Sequence, residues 1–186
     1  MMPTVIDTLF ESFSEQIAYL DANKQATMRS NAEENFKRVL VVATASFFES
    51  ELKDTIKEFV NKNTGREELK VLINTKLLDR GFFRLIELNH SNRTSNSLNS
   101  FLATFGMKQI DDEKKTDEKL EGALQAFVEI MLDRDILVHQ NYASRALPGT
   151  TGDYYDKYKR ALYFISYFKQ KLGVAHASNS EQPACE

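Results

Sequence analysis

The feature that most constrains this chain is where proline is missing. Its three prolines are Pro3, Pro148 and Pro183, so no pyrrolidine ring interrupts the backbone between the first two. Proline removes a backbone donor and clashes with the preceding turn, and a long stretch without it leaves helix open throughout. That stretch is also rich in Leu, Ala, Glu and Lys, residues that favour helix. An all-α fold is therefore expected. Hydrophobic residues make up 42% of the chain, with 13 Phe and 7 Tyr, enough to fill one core without covalent staples.

The apolar periodicity divides the chain into helices. A first helix is predicted over 4–22, with Val5, Leu9, Phe13, Ile17 and Leu20 on its apolar side. A long second helix is predicted over 31–61, with Val41, Ala45, Phe48, Leu52, Thr55, Ile56 and Phe59 recurring at three- and four-residue steps. Gly65 offers a left-handed stop, and Thr64 with Glu67 or Glu68 a start for a helix over 66–79. Residues 80–112 are less regular: a short helix at 81–86, a Ser/Asn-rich loop at 90–96, and a short helix at 98–105 ended by Gly106. The charged run 111–119 reads as a solvated connector leading into a helix over 116–138. Thr150 to Asp153 form a turn that opens a last helix reaching Leu172, with Tyr154, Tyr158, Ala161, Ile165, Phe168 and Leu172 as a continuous apolar stripe. Residues 1–174 are expected to form a single helical domain, with 175–186 a flexible tail.

Charge and cysteine usage narrow the function. The net charge of −3 argues against a protein that coats nucleic acid by bulk electrostatics, while leaving room for a local anion site. The single cysteine, Cys185, allows neither a disulfide framework nor a cysteine metal site within one chain. No secretory leader and no apolar run approaching ~18 residues is evident, so a soluble cytoplasmic protein without membrane contact is expected.

One position breaks the pattern. In the helix over 116–138, Leu120, Leu124, Phe127 and Met131 follow the helical step, and the next step lands on Arg134. The alternative stripe Leu120, Ala123, Phe127, Ile130 lands there too. A guanidinium cannot shed its charge, so it must either snorkel to a carboxylate or serve a ligand. His139 follows five residues later. Five steps turn a helix about 500°, leaving the two side chains about 140° apart. They meet around one substrate only where the helix loosens or a second subunit contributes.

Arg134-Asp135-Ile136-Leu137-Val138-His139 resembles the Arg-x(4–6)-His signature of the HEPN superfamily. Arg84 and His90, with five residues between them, also satisfy the signature, but that pair ends in the Ser/Asn-rich loop, whereas Arg134 follows a long helical repeat. Ala45-Ser46-Phe47-Phe48-Glu49-Ser50-Glu51-Leu52 resembles the second helix of stand-alone HEPN proteins of the RiboL-PSP type. Arg80-Gly81-Phe82-Phe83 and Asn99-Ser100-Phe101-Leu102-Ala103-Thr104-Phe105-Gly106 resemble the middle of the same group, so the likeness covers about residues 35–170.

The resemblance implies a HEPN-like helical bundle that forms a homodimer and sets two Arg/His pairs in one cleft. It further implies a metal-independent endoribonuclease without cofactor, of the toxin or antiviral defence type, with RNA as substrate and an antitoxin protein as a further partner. His139 would move protons near neutral pH, and Arg134 would hold phosphate oxygens in its fork. Attack by the RNA's own 2′-hydroxyl would then leave a 2′,3′-cyclic phosphate. Asp135, four residues before His139, would orient it. Asn141 would bind substrate or cap the helix end, and Glu49 would either hold Arg134 or stand at the stripe's edge. The toxin branch regulated by adenylylation carries Tyr two residues after the His; here Asn141 stands there and Tyr142 comes one later, so that regulation is not expected. The alternative reading is a non-catalytic HEPN module that binds RNA, nucleotide or a partner protein. The basic residues of the last helix, Lys157, Lys159, Arg160, Lys169 and Lys171, offer an RNA track beside the packed stripe.

Overall fold

A computed structural model describes residues 3–78, 82, 86, 88, 93–139 and 146–174. Among them lie seven α-helices and no strand: α1 (Val5–Ala22), α2 (Ala26–Asn63), α3 (Glu67–Leu72), α4 (Asn99–Thr104), α5 (Ile110–Thr116), α6 (Glu118–His139) and α7 (Thr151–Lys171). The all-α expectation holds. None of these helices is long and apolar enough to cross a membrane.

The core is built from α2, α6 and α7, with α1 folded back along α2. Phe48 of α2 is fully buried between Phe127 of α6, at 5.6 Å between ring centroids, and Tyr158 of α7, at 5.9 Å. The stripe read on the last helix is the packed face of α7: Tyr154, Tyr158, Ala161, Ile165, Phe168 and Leu172 are all buried. The central helix is α6. Both stripes read along it are buried, together with Ala126, Val128 and Leu132, so neighbours cover it over a wide arc.

Several local expectations change. Phe13 is buried as expected, but Val5 is exposed; α1 buries Ile6 in its place and stacks Phe10 on Tyr155 and Phe13 on Phe36. The second helix begins at Ala26, where the Arg29–Asp21 ion pair at 2.8 Å closes the α1–α2 hairpin. It ends on Thr64 in extended conformation, not on a left-handed Gly65, and Arg66 precedes α3. A π-helical stretch, Ile73–Leu78, continues α3. A 3₁₀ turn, Ser95–Leu98, replaces the end of the Ser/Asn-rich loop. The charged connector contains α5, pinned by buried Ile110 and by buried Lys114, which binds Asp111 at 2.6 Å and Asn96 at 2.8 Å. Gly106 does close the helix before it, with φ +82°. Of the short helix read at 81–86, Phe82 and Ile86 are described and buried. Its other residues, together with Arg84, His90, Asn141, Tyr142 and the 175–186 tail, lie outside the described residues.

Candidate active site

The last turns of α6 carry the residues singled out in the sequence. The helix remains α-helical through His139, so the loosening that the five-residue spacing required does not occur in the described turns. Asp135 links the pair instead. Its Oδ1 lies 3.2 Å from His139 Nε2 and 4.0 Å from an Arg134 Nη. The first contact follows from helix geometry, because residues four apart share a face. Arg134 continues the face of Phe127 and Ile130 at the end of the helix and is partly buried, with 20% of its side chain exposed; the His139 side chain is 68% exposed. Val138, beside it, is also exposed.

Glu49 pairs within its own helix. Its carboxylate accepts from Lys53 Nζ at 2.5 Å, one turn along α2, and this is the ion pair that the structure gives it.

A polar stripe that the sequence reading missed runs along the same helix. Glu121, Gln125, Glu129 and Asp133 recur at four-residue steps along α6, and that spacing was the available signal. Ser95 donates to Glu121 at 2.7 Å. Gln125 donates to the Arg93 carbonyl at 2.7 Å and to Glu129 at 2.8 Å. Lys157 of α7 pairs with Glu129 at 2.9 Å. Burial works against ionisation of Glu129, but hydrogen bonds from Gln125 and Lys157 outweigh it and hold the carboxyl below its usual range. At the end of the stripe Asp133 is 2% exposed. It accepts from Arg93 at 2.5 Å and from the Tyr154 hydroxyl at 2.7 Å. Burial, reinforced by the Asp133 carboxylate, pushes the Tyr154 phenol far up, so it remains a donor. The charge that this helix places in the interior is thus Asp133, one residue before Arg134.

The basic track expected on the last helix is largely neutralised. Lys157 pairs with Glu129, Lys159 with Asp7 at 2.6 Å, Lys169 with Glu51 at 2.5 Å and Lys171 with Glu113 at 2.8 Å. Arg160 is exposed and has no ion pair among the described residues. A surface depression of about 680 Å³ beside it is lined by Gly149, Asp153, Asp156 and Lys157, with none of the α6 motif residues. Among the described residues, no group of three His, Cys, Asp or Glu side chains is placed to hold a metal ion.

A helical bundle whose central helix ends in Arg134, Asp135 and His139 has the architecture of a HEPN-type domain. The family model described as RiboL-PSP-HEPN matches residues 7–173, and the chain belongs to that family. No curated protein and no solved structure matches the chain significantly.

Proposed function

We propose that the protein is a metal-independent endoribonuclease of the toxin or defence type, acting in the cytoplasm as a homodimer. HEPN domains are often ribonucleases and commonly dimerise, and membership of the family supports both parts of the reading. The observation that carries it is the Asp135 carboxylate, which stands between the Arg134 guanidinium and the His139 imidazole at a solvent-exposed helix end. His139 takes or gives the proton at the reacting hydroxyls, and Asp135 fixes which ring nitrogen is presented. Arg134 neutralises the phosphate as charge builds on its oxygens. The 2′-oxygen bonds to phosphorus, the bond to the 5′-oxygen breaks, and the products carry a 2′,3′-cyclic phosphate and a 5′-hydroxyl. Exposed Val138, next to His139, supplies apolar surface for the second protomer.

The test is incubation of purified protein with RNA in EDTA, beside Arg134→Ala and His139→Ala. Cleavage by the wild type that falls at least about 100-fold in both variants supports the reading. Cleavage that neither substitution changes, or its absence in the wild type, sinks it. RNA bound but uncut favours the non-catalytic module. Sizing in solution tests the dimer separately, since a strict monomer cannot build a shared cleft.

A further inference from the structure

The central helix poses a problem of rotation. Its buried apolar residues, among them Ala126, Ala123, Leu124, Val128 and Leu132, spread over about two thirds of the turn around the axis. Apolar burial is non-directional. Hydrocarbon contacts over so wide an arc resist a small rotation less sharply than directional bonds do. Arg134, Asp135 and His139 nevertheless ride on that rotation, and a misplacement of about 1 Å at a reacting group can cost about 100-fold in rate.

Asp133 is not interchangeable in this way. It is 2% exposed and holds two directional bonds to separate parts of the chain, Tyr154 on α7 and Arg93 ahead of the 3₁₀ turn. Gln125, two turns earlier on α6, holds the Arg93 carbonyl, so the arginine is fixed at both ends. Rotating α6 would strand a buried carboxylate, which costs far more than exchanging hydrocarbon contacts. We infer that Asp133 is a positioning residue: with Tyr154 and Arg93 it pins the rotation of α6 and so sets where Arg134, Asp135 and His139 stand. The kinetic consequence rests on the endoribonuclease reading; the pinning itself does not.

The experiment removes the pin without opening a hole. Asp133→Leu combined with Tyr154→Phe replaces the buried carboxylate and phenol by apolar groups of similar size, a kind of exchange that is often neutral or stabilising. Arg93, 39% exposed, can then turn to water. Tyr154→Phe alone is the gentler variant and decides the matter if the double variant fails to fold. The primary readout is the ring spectrum of ¹⁵N-histidine-labelled protein, with His139→Ala identifying its signals among the three histidines. Asp135→Asn gives the reference for a His139 ring without its carboxylate.

In both variants the His139 ring signals should move toward that reference or broaden, with the melting transition still cooperative. The kcat for RNA cleavage should fall about ten-fold or more while KM stays within about two-fold. A merely structural prop would lower the melting temperature and leave the ring signals of the folded protein in place. Ring signals that match the wild type in the folded variants overturn the inference, whatever the stability does. If the wild type does not cleave RNA, the enzyme reading fails while the ring spectra still decide the pinning.

Discussion

Asp135 Oδ1 lies 3.2 Å from His139 Nε2 across one turn of α6, and the same oxygen is 4.0 Å from the Arg134 guanidinium. The histidine is largely exposed, so this contact contributes little to folding; exposed i, i+4 pairs are worth about 0.3–0.5 kcal/mol. On the endoribonuclease reading, its value lies in orienting the ring. Asp135→Ala should therefore leave the melting temperature within about 2 °C of wild type. It should lower kcat for RNA cleavage about 10–100-fold, the usual scale for losing a carboxylate that orients a histidine. Steady-state kinetics beside a thermal melt separate the two effects, and undiminished kcat would refute the role.

Electrostatics on α7 lead to an opposite expectation. Lys169 and Lys171 looked like RNA-binding cations, but Glu51 and Glu113 neutralise them. Glu113 is itself held below its usual range, first by the hydrogen bond from Lys171 and then by Tyr167. The double variant Lys169→Ala/Lys171→Ala should leave RNA affinity within about two-fold and the slope of affinity against salt unchanged, because cations already paired release few counterions from phosphate. A slope that falls by about one or more per lysine removed would restore the track.

The fold was legible where apolar residues have one neighbour to face. The α7 stripe could be read position by position because α7 packs through one side. On α6 the same logic found the core face but not the buried charge. A helix buried over so wide an arc fits more than one stripe, and both candidate stripes pass through Arg134. The carboxylate actually buried, Asp133, sits among apolar residues and is explained only by Arg93, forty residues earlier, and Tyr154, on the following helix. Such pairing is long-range: the four-residue stripe through Asp133 marks the position but points to neither partner. The Asp135–His139 contact was legible for the contrary reason: it is local, and helix spacing alone dictates it. The Glu49–Lys53 pair follows that same spacing and is legible in the same way.

The turn into α7 depends on a glycine. Gly149 has φ +77°, and a Cβ there would lie 2.9 Å from Asp153 Oδ2, in the carboxylate that accepts from the Thr150 backbone at 2.7 Å. Gly149→Ala should cost about 1–2 kcal/mol through the left-handed backbone alone, with loosening of the capping box added. Gly152 is the control. It lies inside the helix, where a Cβ meets Thr150 Oγ1 at an ordinary 3.6 Å. Gly152→Ala should be neutral or stabilise by up to about 1 kcal/mol. Urea melts of the two variants should diverge in sign or clearly in size; equal destabilisation would contradict the role given to Gly149.

Acid should weaken the seam between α1 and α7 through Asp7. This carboxylate is 6% exposed and accepts from the Thr4 backbone at 2.7 Å, the Tyr155 hydroxyl at 2.8 Å and Lys159 at 2.6 Å. Burial pushes its pKa up, but the bonds from Lys159, Thr4 and Tyr155 prevail and hold it well below the ordinary 3.8. The unfolded chain therefore takes up a proton at Asp7 at a pH where the native carboxylate does not. The stabilisation is complete above the unfolded value and disappears as pH falls through the lower native one. Asp7→Asn, which cannot ionise, should cost about 2–3 kcal/mol at neutral pH, or roughly 5–10 °C in melting temperature. The gap between wild type and variant should stay flat from about pH 7 to pH 5 and narrow steadily below about pH 4. Thermal melts of both proteins across that range measure it, and a gap that stays constant down to about pH 2 would show that Asp7 holds the seam by shape rather than by charge.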